Sequence, residues 1–157
     1  MHADDVFRYG QLTVSAALDR MPADAWAPAA GTDWAAKDLL AHLVAYEQLL
    51  GDVFASVLDD GPTPTLDAML ADGDAFNERQ VAARRGQSVE ALRAELEAAH
   101  QRAAALLARI PLERRRQAGI LAWYGADYDL EDVIAYMGYG HKTEHAAQLG
   151  AFADAAA

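Results

Sequence analysis

The segment from Tyr139 to His145 contains two histidines at a spacing suited to metal binding. His141 and His145 are four residues apart within a predicted helix. On an α-helix this spacing places both imidazoles on one face, one turn apart, where they can bind the same metal ion. Two histidines that only hydrogen-bond to each other inside the core are the alternative interpretation. A metal site needs at least one more ligand from elsewhere in the chain.

His42 is the candidate for the third ligand. It lies three residues after Leu39 and four before Tyr46, on the apolar face predicted for the second helix. A single histidine on such a face is more often a packed core residue than a ligand. If it faces the pair from another helix, however, three imidazoles converge and leave a coordination position open for water or substrate. That pattern is typical of catalytic metal sites.

Glu144 is the candidate for a catalytic acid or base. The pentapeptide from His141 to His145 matches H-x-x-E-H, the motif of the inverted zinc proteases. That family is excluded, because its third ligand comes from well downstream and only residues 146–157 remain. Glu144 is adjacent to the histidines and can act as a general base or support a ligand. The alternative places it as a carboxylate on the rim of the site.

The rest of the chain has the composition of a helical protein. The chain has 157 residues, and four of its five prolines precede position 65. Alanine, leucine, glutamate and arginine, all good helix formers, fill the long segments. We therefore predict one all-α domain spanning residues 1–157, in which four long helices and a shorter one pack as a bundle.

The predicted helices begin and end at recognisable signals. They cover residues 4–20, a segment that opens near Trp34 with Thr32 or Asp33 as its cap, residues 65–84, residues 88–109, and a last helix capped by Asp129. The expected inward stripe of the first helix is Val6, Tyr9, Leu12, Thr13 and Ala16. That of the last helix is Leu130, Val133, Ile134, Met137, His141, Gln148, Leu149 and Phe152. His100 is expected to face solvent.

Aromatic and amide side chains outside the histidines are candidates for a pocket. Trp123 and Tyr124 lie in the connector 116–129, and they either pack as a flap on the bundle or roof a pocket. Asn77 is either a surface amide or a hydrogen-bonding group of that pocket. Tyr46, Tyr124 and Tyr139 are candidates, with Glu144, for moving a proton.

Charge and composition exclude several classes of protein. The net charge is −11 and the isoelectric point is about 4.7, which disfavours binding to nucleic acid or to anionic lipid. The basic run 114–116 is interpreted as a solvated connector. The chain has no cysteine, no run of about 18 apolar residues and no signal-peptide pattern. We expect a cytoplasmic protein with a small-molecule partner and no role at membranes.

Two segments resemble the DinB/YfiT-like superfamily. Residues 33–43, Asp33-Trp34-Ala35-Ala36-Lys37-Asp38-Leu39-Leu40-Ala41-His42-Leu43, are similar to its helix-two signature. Residues 139–149, Tyr139-Gly140-His141-Lys142-Thr143-Glu144-His145-Ala146-Ala147-Gln148-Leu149, are similar to its last-helix H-x-x-x-H signature. The likeness spans almost the whole chain and includes Phe76-Asn77. One departure is Ala35, where relatives often carry a serine or threonine cap.

The resemblance implies a fold, a metal site and an assembly. The fold is a four-helix bundle with a long crossover after the second helix and a broken middle segment. The site is a divalent metal ion held by His42, His141 and His145, and the assembly is frequently a homodimer. Similar members include isomerases and transferases that depend on mycothiol or bacillithiol, hydrolases, and relatives that protect cells from reactive natural products.

These observations favour a metal-dependent enzyme that acts on a small electrophile. Zinc or nickel is the expected ion, hydrolysis or transfer of a low-molecular-weight thiol is the expected reaction, and the ion would lower the pKa of water or thiol. One alternative is a non-catalytic protein that sequesters a small hydrophobic ligand under Trp123 and Tyr124. Another is a structural dimer whose histidines only hydrogen-bond to each other.

Overall fold

The structure is a computed structural model that describes residues 2–28 and 34–157. All regular structure in these residues is helical, which confirms the all-α class. The α-helices are α1 (Ala3–Asp19), α2 (Ala36–Leu58), α3 (Pro64–Asp72), α4 (Phe76–Arg84), α5 (Val89–Arg109), α6 (Leu112–Arg115), α7 (Leu130–Val133) and α8 (His141–Ala155). Residues Ala23–Trp26 and Gly73–Ala75 form 3₁₀ turns, and the π segment Ile134–Gly140 joins α7 to α8.

Helix α2 lies at the centre of the packing. It contacts α3, α4, α5 and α8, whereas α1 packs mainly against α8 and the π segment. The apolar face of α2 supplies Leu40, Leu50 and Phe54 to the core, and all three are fully buried. In the part of the chain that the structure describes, none of the helices is both long enough and apolar enough to cross a membrane.

Side chains fix the starts of the helices that carry the histidines. Helix α2 begins after Ala35, whose N–H donates to Asp38 Oδ2 at 3.0 Å. Asp38 thus supplies the carboxylate half of a capping box, while the half that a serine or threonine hydroxyl would supply is missing at Ala35. The predicted caps Thr32 and Asp33 lie outside the described residues. At the last helix, the predicted cap Asp129 is confirmed, because its Oδ1 accepts from Asp132 N–H and Asp132 Oδ2 accepts in return from Asp129 N–H.

The predicted inward stripe of α1 is wrong. The buried residues of this helix are Phe7, Gly10, Gln11, Val14 and Leu18. Tyr9 and Leu12 are instead 46% and 51% exposed. The helix carries apolar residues on two faces, and periodicity alone does not show which of them faces the core.

The π segment changes the face that α8 presents to the core. In a π-helix the hydrogen bonds run from residue i to i+5, so each turn is wider than an α-turn and the following residues are rotated about the axis. As a result Lys142, Ala146 and Leu149 are buried, whereas Gln148, predicted to face inward, is exposed. The uniform helical spacing assumed for residues 130–152 does not apply across this segment.

Two basic or titratable residues predicted at the surface are largely buried. Arg115, from the run interpreted as a solvated connector, is 8% exposed and donates to the carbonyls of Ile110 and Leu107 and to Asp4. His100 is not solvent-facing, because its side chain is 15% exposed and its ring stacks on Phe7 at 4.7 Å between centroids.

A buried polar cluster joins α1, α2, α5 and α8. Its members, one from each helix, are Gln11, Glu47, His100 and Lys142. Lys142 Nζ lies 2.5 Å from Glu47 Oε2 and 3.1 Å from Gln11 Oε1, and His100 Nδ1 lies 2.6 Å from Glu47 Oε1. Burial alone would raise the pKa of Glu47, but Lys142 and His100 outweigh it and hold this pKa below its ordinary value. Glu47 is therefore a carboxylate.

Candidate metal centre

Three histidine side chains converge between α2 and α8. The Nε2 atom of His42 lies 2.9 Å from that of His141 and 3.1 Å from that of His145, and the last two are 2.9 Å apart. His42 and His141 are 5% and 9% exposed, and His145 lies at the edge of the cluster. The sequence prediction that these three residues come together is confirmed.

The spacing of the three Nε2 atoms fits one metal ion. Three atoms about 3 Å apart are about 1.7 Å from their common centre, so an ion about 1 Å out of their plane lies about 2.0–2.1 Å from each, the length of a zinc–histidine bond. The imidazole planes are steeply inclined to one another, at 63° to 87°, so the three rings approach one point from different directions.

The environment of His42 and His141 keeps these two imidazoles neutral. Burial, reinforced by the neighbouring histidines, lowers the pKa of His42 and of His141 to about 3. A neutral imidazole has a lone pair for a metal ion, whereas an imidazolium does not. The cluster is therefore ready to bind a cation at neutral pH without first losing protons from these two residues.

Gln148 orients His145. Its Oε1 atom lies 2.7 Å from His145 Nδ1, and a carbonyl oxygen only accepts, so Nδ1–H donates and Nε2 keeps its lone pair for the cluster. Within the described residues, the Nδ1 atoms of His42 and His141 are buried and have no hydrogen-bond partner. Gln148 reaches the outer nitrogen of His145 because the two residues are three positions apart on α8.

Aromatic rings flank the histidines. The ring centroid of Tyr46 lies 4.5 Å from the ring centroid of His42 and 4.4 Å from that of His141. The ring centroids of Trp34 and His42 are 5.2 Å apart, and Trp34 Nε1–H donates to Glu78 Oε1 at 2.7 Å. Tyr46 was a sequence candidate, whereas Trp34 was missed although it opens the segment that contains His42.

Tyr136 raises the pKa of two of the candidate phenols. Burial raises the pKa of Tyr46, Tyr136 raises it further, and a hydrogen bond from Asn77 acts in the opposite direction. Burial and Tyr136 also raise the pKa of Tyr124. Tyr136 therefore lies near both phenols. Sequence reasoning missed it, because on a regular helix it falls off the inward stripe.

The remaining candidate residues are exposed or half-buried. Glu144 is exposed on α8, directly before His145. Tyr139 is 42% exposed, where the π segment meets Gly10 of α1. Trp123 and Tyr124 are half-buried, pack edge-on at 5.6 Å, and rest against the core.

The metal-free protein is expected to lose stability as the pH falls from about 6.5 towards 3. Unfolded histidines take up a proton near 6.5, whereas the folded His42 and His141 stay neutral down to about 3, so acid favours the unfolded state. Each contributes up to about 1.4 kcal/mol per pH unit within this window. Urea unfolding in chelator across that range measures the slope.

The variant His42→Gln isolates this effect from the carboxylates. It is expected to have a shallower slope than the wild type, while His2→Ala, at an exposed position, keeps the wild-type slope. Equal slopes for His42→Gln and the wild type would show that burial does not keep this histidine neutral.

Comparison with known protein families gives one match. The family model of the DinB superfamily matches residues 8–149, a range that contains all three histidines. No curated protein and no solved structure gives a significant match. The match confirms the resemblance drawn from residues 33–43 and 139–149.

Proposed function

The chain belongs to the DinB superfamily, and on that premise we propose that it is a divalent-metal-dependent enzyme acting on a small electrophile. The observation that carries the proposal is the convergence of three imidazoles, with Nε2 atoms 2.9–3.1 Å apart. Three nitrogen ligands suit zinc or nickel and leave room for a further ligand. The reaction is hydrolysis of the electrophile, or a transfer or isomerisation that depends on a low-molecular-weight thiol.

The protein side chains would hold, orient and protonate the reactants. When bound, the ion would lower the pKa of a water molecule or thiol towards neutrality. Tyr46, whose pKa is raised by burial, stays protonated and can donate a hydrogen bond beside the ligands. Glu144, exposed next to His145, is then the proton acceptor at the rim. We therefore assign Tyr46 as the hydrogen-bond donor and Glu144 as the proton acceptor.

Asn77 is the group that would recognise the substrate. It hydrogen-bonds Tyr46, while its Oδ1 atom is buried and has no partner among the described residues. A buried oxygen without a donor is unfavourable by about 1–3 kcal/mol. A substrate with an N–H or O–H near its electrophilic atom would supply that donor, and Trp123 and Tyr124 would cover its apolar part.

We also infer the finer architecture that supports this site. The four long helical units are α1, α2, α5 and the continuous α7–α8 helix, and they would form a four-helix bundle in which α3 and α4 are the crossover. The polar cluster of Gln11, Glu47, His100 and Lys142 supports this arrangement, because it takes one residue from each unit.

The wild-type protein, purified without an affinity tag and reconstituted, is expected to bind one zinc or nickel ion per chain. His42→Ala or His145→Ala is expected to weaken metal binding by roughly 10–100-fold or more. Loss of a residue that only orients a metal ligand already has an effect of that size. Metal analysis and calorimetric titration measure stoichiometry and affinity. His2→Ala is the matched control and keeps wild-type affinity.

Two outcomes would contradict the proposal. The metal centre is refuted if the reconstituted wild type holds less than about one-tenth of an equivalent and added metal gives no thermal shift, since a ligand of the native state must stabilise it. The enzymatic part is tested on a nitrophenyl ester, and on a chloronitroaromatic with a thiol. Equal rates with and without metal would refute it.

A further inference from the structure

Two neighbouring contacts cross the interface between α2 and α8. The ring centroid of Tyr46 lies 4.4 Å from that of His141, and the next residue of each helix forms the ion pair of Glu47 with Lys142. Successive residues of an α-helix point about 100° apart and lie about 1.5 Å apart along its axis. The two contacts therefore fix α8 both in rotation and in translation relative to α2.

The ion pair is the directional member of these two contacts. Glu47 and Lys142 are 0% and 2% exposed, and Lys142 Nζ lies 2.5 Å from Glu47 Oε2. Each partner has a second anchor on another helix, because His100 Nδ1 lies 2.6 Å from Glu47 Oε1 and Lys142 Nζ lies 3.1 Å from Gln11 Oε1. Opposite charges in a buried, low-dielectric environment are costly to separate, whereas apolar contacts are non-directional. The pair therefore opposes sliding of α8 more than apolar packing of equal volume would.

Apolar packing contributes little to the register of α8 against α2. The buried residues of α8 are His141, Lys142, Ala146 and Leu149, of which only the last two are apolar and one is an alanine. The π segment Ile134–Gly140 precedes them, so regular α-helical geometry does not fix the height or the angle at which α8 begins. A directional contact is therefore needed to set how His141 faces α2.

The histidines require a defined register of the two helices. A metal site keeps its geometry only when its ligands are held to within roughly 0.5 Å, and sliding a helix by one residue displaces it by about 1.5 Å. Lys142 directly follows His141 on α8, and Glu47 follows His42 by five residues on α2. A displacement at the ion pair therefore changes the distance between the Nε2 atoms of His42 and His141, which is 2.9 Å.

We propose that Glu47 and Lys142 are positioning residues of the metal centre. Their buried ion pair sets the register of α8 against α2 and so brings the Nε2 atoms of His42, His141 and His145 together. An apolar pair of similar volume would keep the fold and lose this register. The consequence for metal binding rests on the proposed function, whereas the convergence of the histidines is a property of the chain without metal.

Binding of Co²⁺ to the double variant Glu47→Leu with Lys142→Met tests the positioning role. The ion pair carries no net charge, so the double variant leaves the total charge around the histidines unchanged. We expect it to bind Co²⁺ about tenfold more weakly than the wild type, or weaker still, and to change the visible absorption of the bound ion, because its ligands are displaced. Wild-type affinity together with an unchanged spectrum would overturn the proposal. Glu47→Gln with Lys142→Met, which keeps the shape of both side chains, takes its place if the first variant does not fold.

Arg102→Met is the matched control. Arg102 pairs with Asp52, a carboxylate of α2 that is 2% exposed, but this pair joins α2 to α5 and not to α8. We expect the control to keep the wild-type Co²⁺ affinity and spectrum even where its stability falls, because the register of α8 is untouched. An equal loss of affinity in the control and the double variant would show that loss of any ion pair of α2 loosens the site, which contradicts a specific role of Glu47 and Lys142.

A measurement without metal separates this proposal from the proposed function. The ring centroids of His42 and His145 are 4.8 Å apart, so in chelator their ring protons should give nuclear Overhauser contacts in the wild type. The double variant should lose these contacts, and Arg102→Met should keep them. If the wild type binds no Co²⁺ while the double variant loses the contacts, the metal-dependent function fails and the positioning role stands. Contacts that persist in the double variant refute the positioning role.

Discussion

Replacing Lys142 with methionine is expected to destabilise the protein by about 3–5 kcal/mol, because it leaves a buried carboxylate without its counter-charge. Lys142 is 2% exposed and Glu47 is fully buried. Their contact, at 2.5 Å, is an ion pair, and among the described residues Glu47 Oε2 has no further hydrogen-bond partner. Methionine has a volume similar to that of lysine, so the loss of stability reports the missing charge rather than altered packing. Chemical denaturation at neutral pH gives the free energy of unfolding.

The double variant Glu47→Leu with Lys142→Met separates the missing charge from other damage. Replacing both members of a buried ion pair by apolar residues is often neutral or stabilising, so the double variant should recover more than half of the loss. Lys37→Met is the control, since Lys37 donates an exposed hydrogen bond to the carbonyl of Arg85 rather than pairing with a buried carboxylate. A loss of less than about 1 kcal/mol for Lys142→Met would contradict the ion-pair interpretation.

The convergence of the three histidines was predictable because the evidence for it is local. Four-residue spacing places His141 and His145 on one face wherever the helix points, and the apolar neighbours of His42 place it inward. The three residues remain together in the structure because the π segment ends at Gly140, so the spacing within α8 is regular. The prediction for His141 and His145 was therefore unaffected by the wrong helical spacing assumed for the residues before them.

The polar cluster was not predictable from the same patterns. Lys142 and Glu47 are charged, and charged residues on amphipathic helices normally face solvent. Their burial depends on each other and on His100, across three helices, and a single helix pattern contains no information about partners on other helices. The wider turn of the π segment added to this, because it rotated Lys142 into the core.

Helix α1 shows a different limit of sequence patterns. Its apolar stripe of Tyr9, Leu12 and Ala16 is real, but it lies outside the core. A periodic pattern shows that a helix has an apolar face and does not show whether the core covers that face. The core face was also partly hidden, because Gly10 and Gln11 belong to it and neither has an apolar side chain. Gly10 is there because of a close approach of two backbones.

Replacing Gly10 with alanine is expected to destabilise the protein by about 3 kcal/mol or more, although alanine favours a helix by about 1 kcal/mol. A Cβ atom at this position would lie 1.9 Å from the carbonyl oxygen of Gly138 and 3.1 Å from the Cα of Tyr139. Both are backbone atoms of the π segment, so no side chain can move aside. Either α1 moves away or the π segment shifts.

Gly150→Ala is the matched control for this prediction. Gly150 lies inside α8 with open space where a Cβ would point, so alanine should stabilise the protein by up to about 1 kcal/mol. Equal stabilities for the two variants would show that the contact between Gly10 and Gly138 is not tight.

The same substitution connects this contact to the metal centre. The π segment ends directly before His141, so a shift of this segment that accommodates the added methyl group would rotate His141 and His145 relative to His42. Metal affinity should therefore fall in Gly10→Ala and stay at the wild-type level in Gly150→Ala. If Gly10→Ala loses stability but keeps wild-type metal affinity at a temperature where it is folded, the clash is relieved by movement of α1. The π segment would then hold the histidines independently of α1.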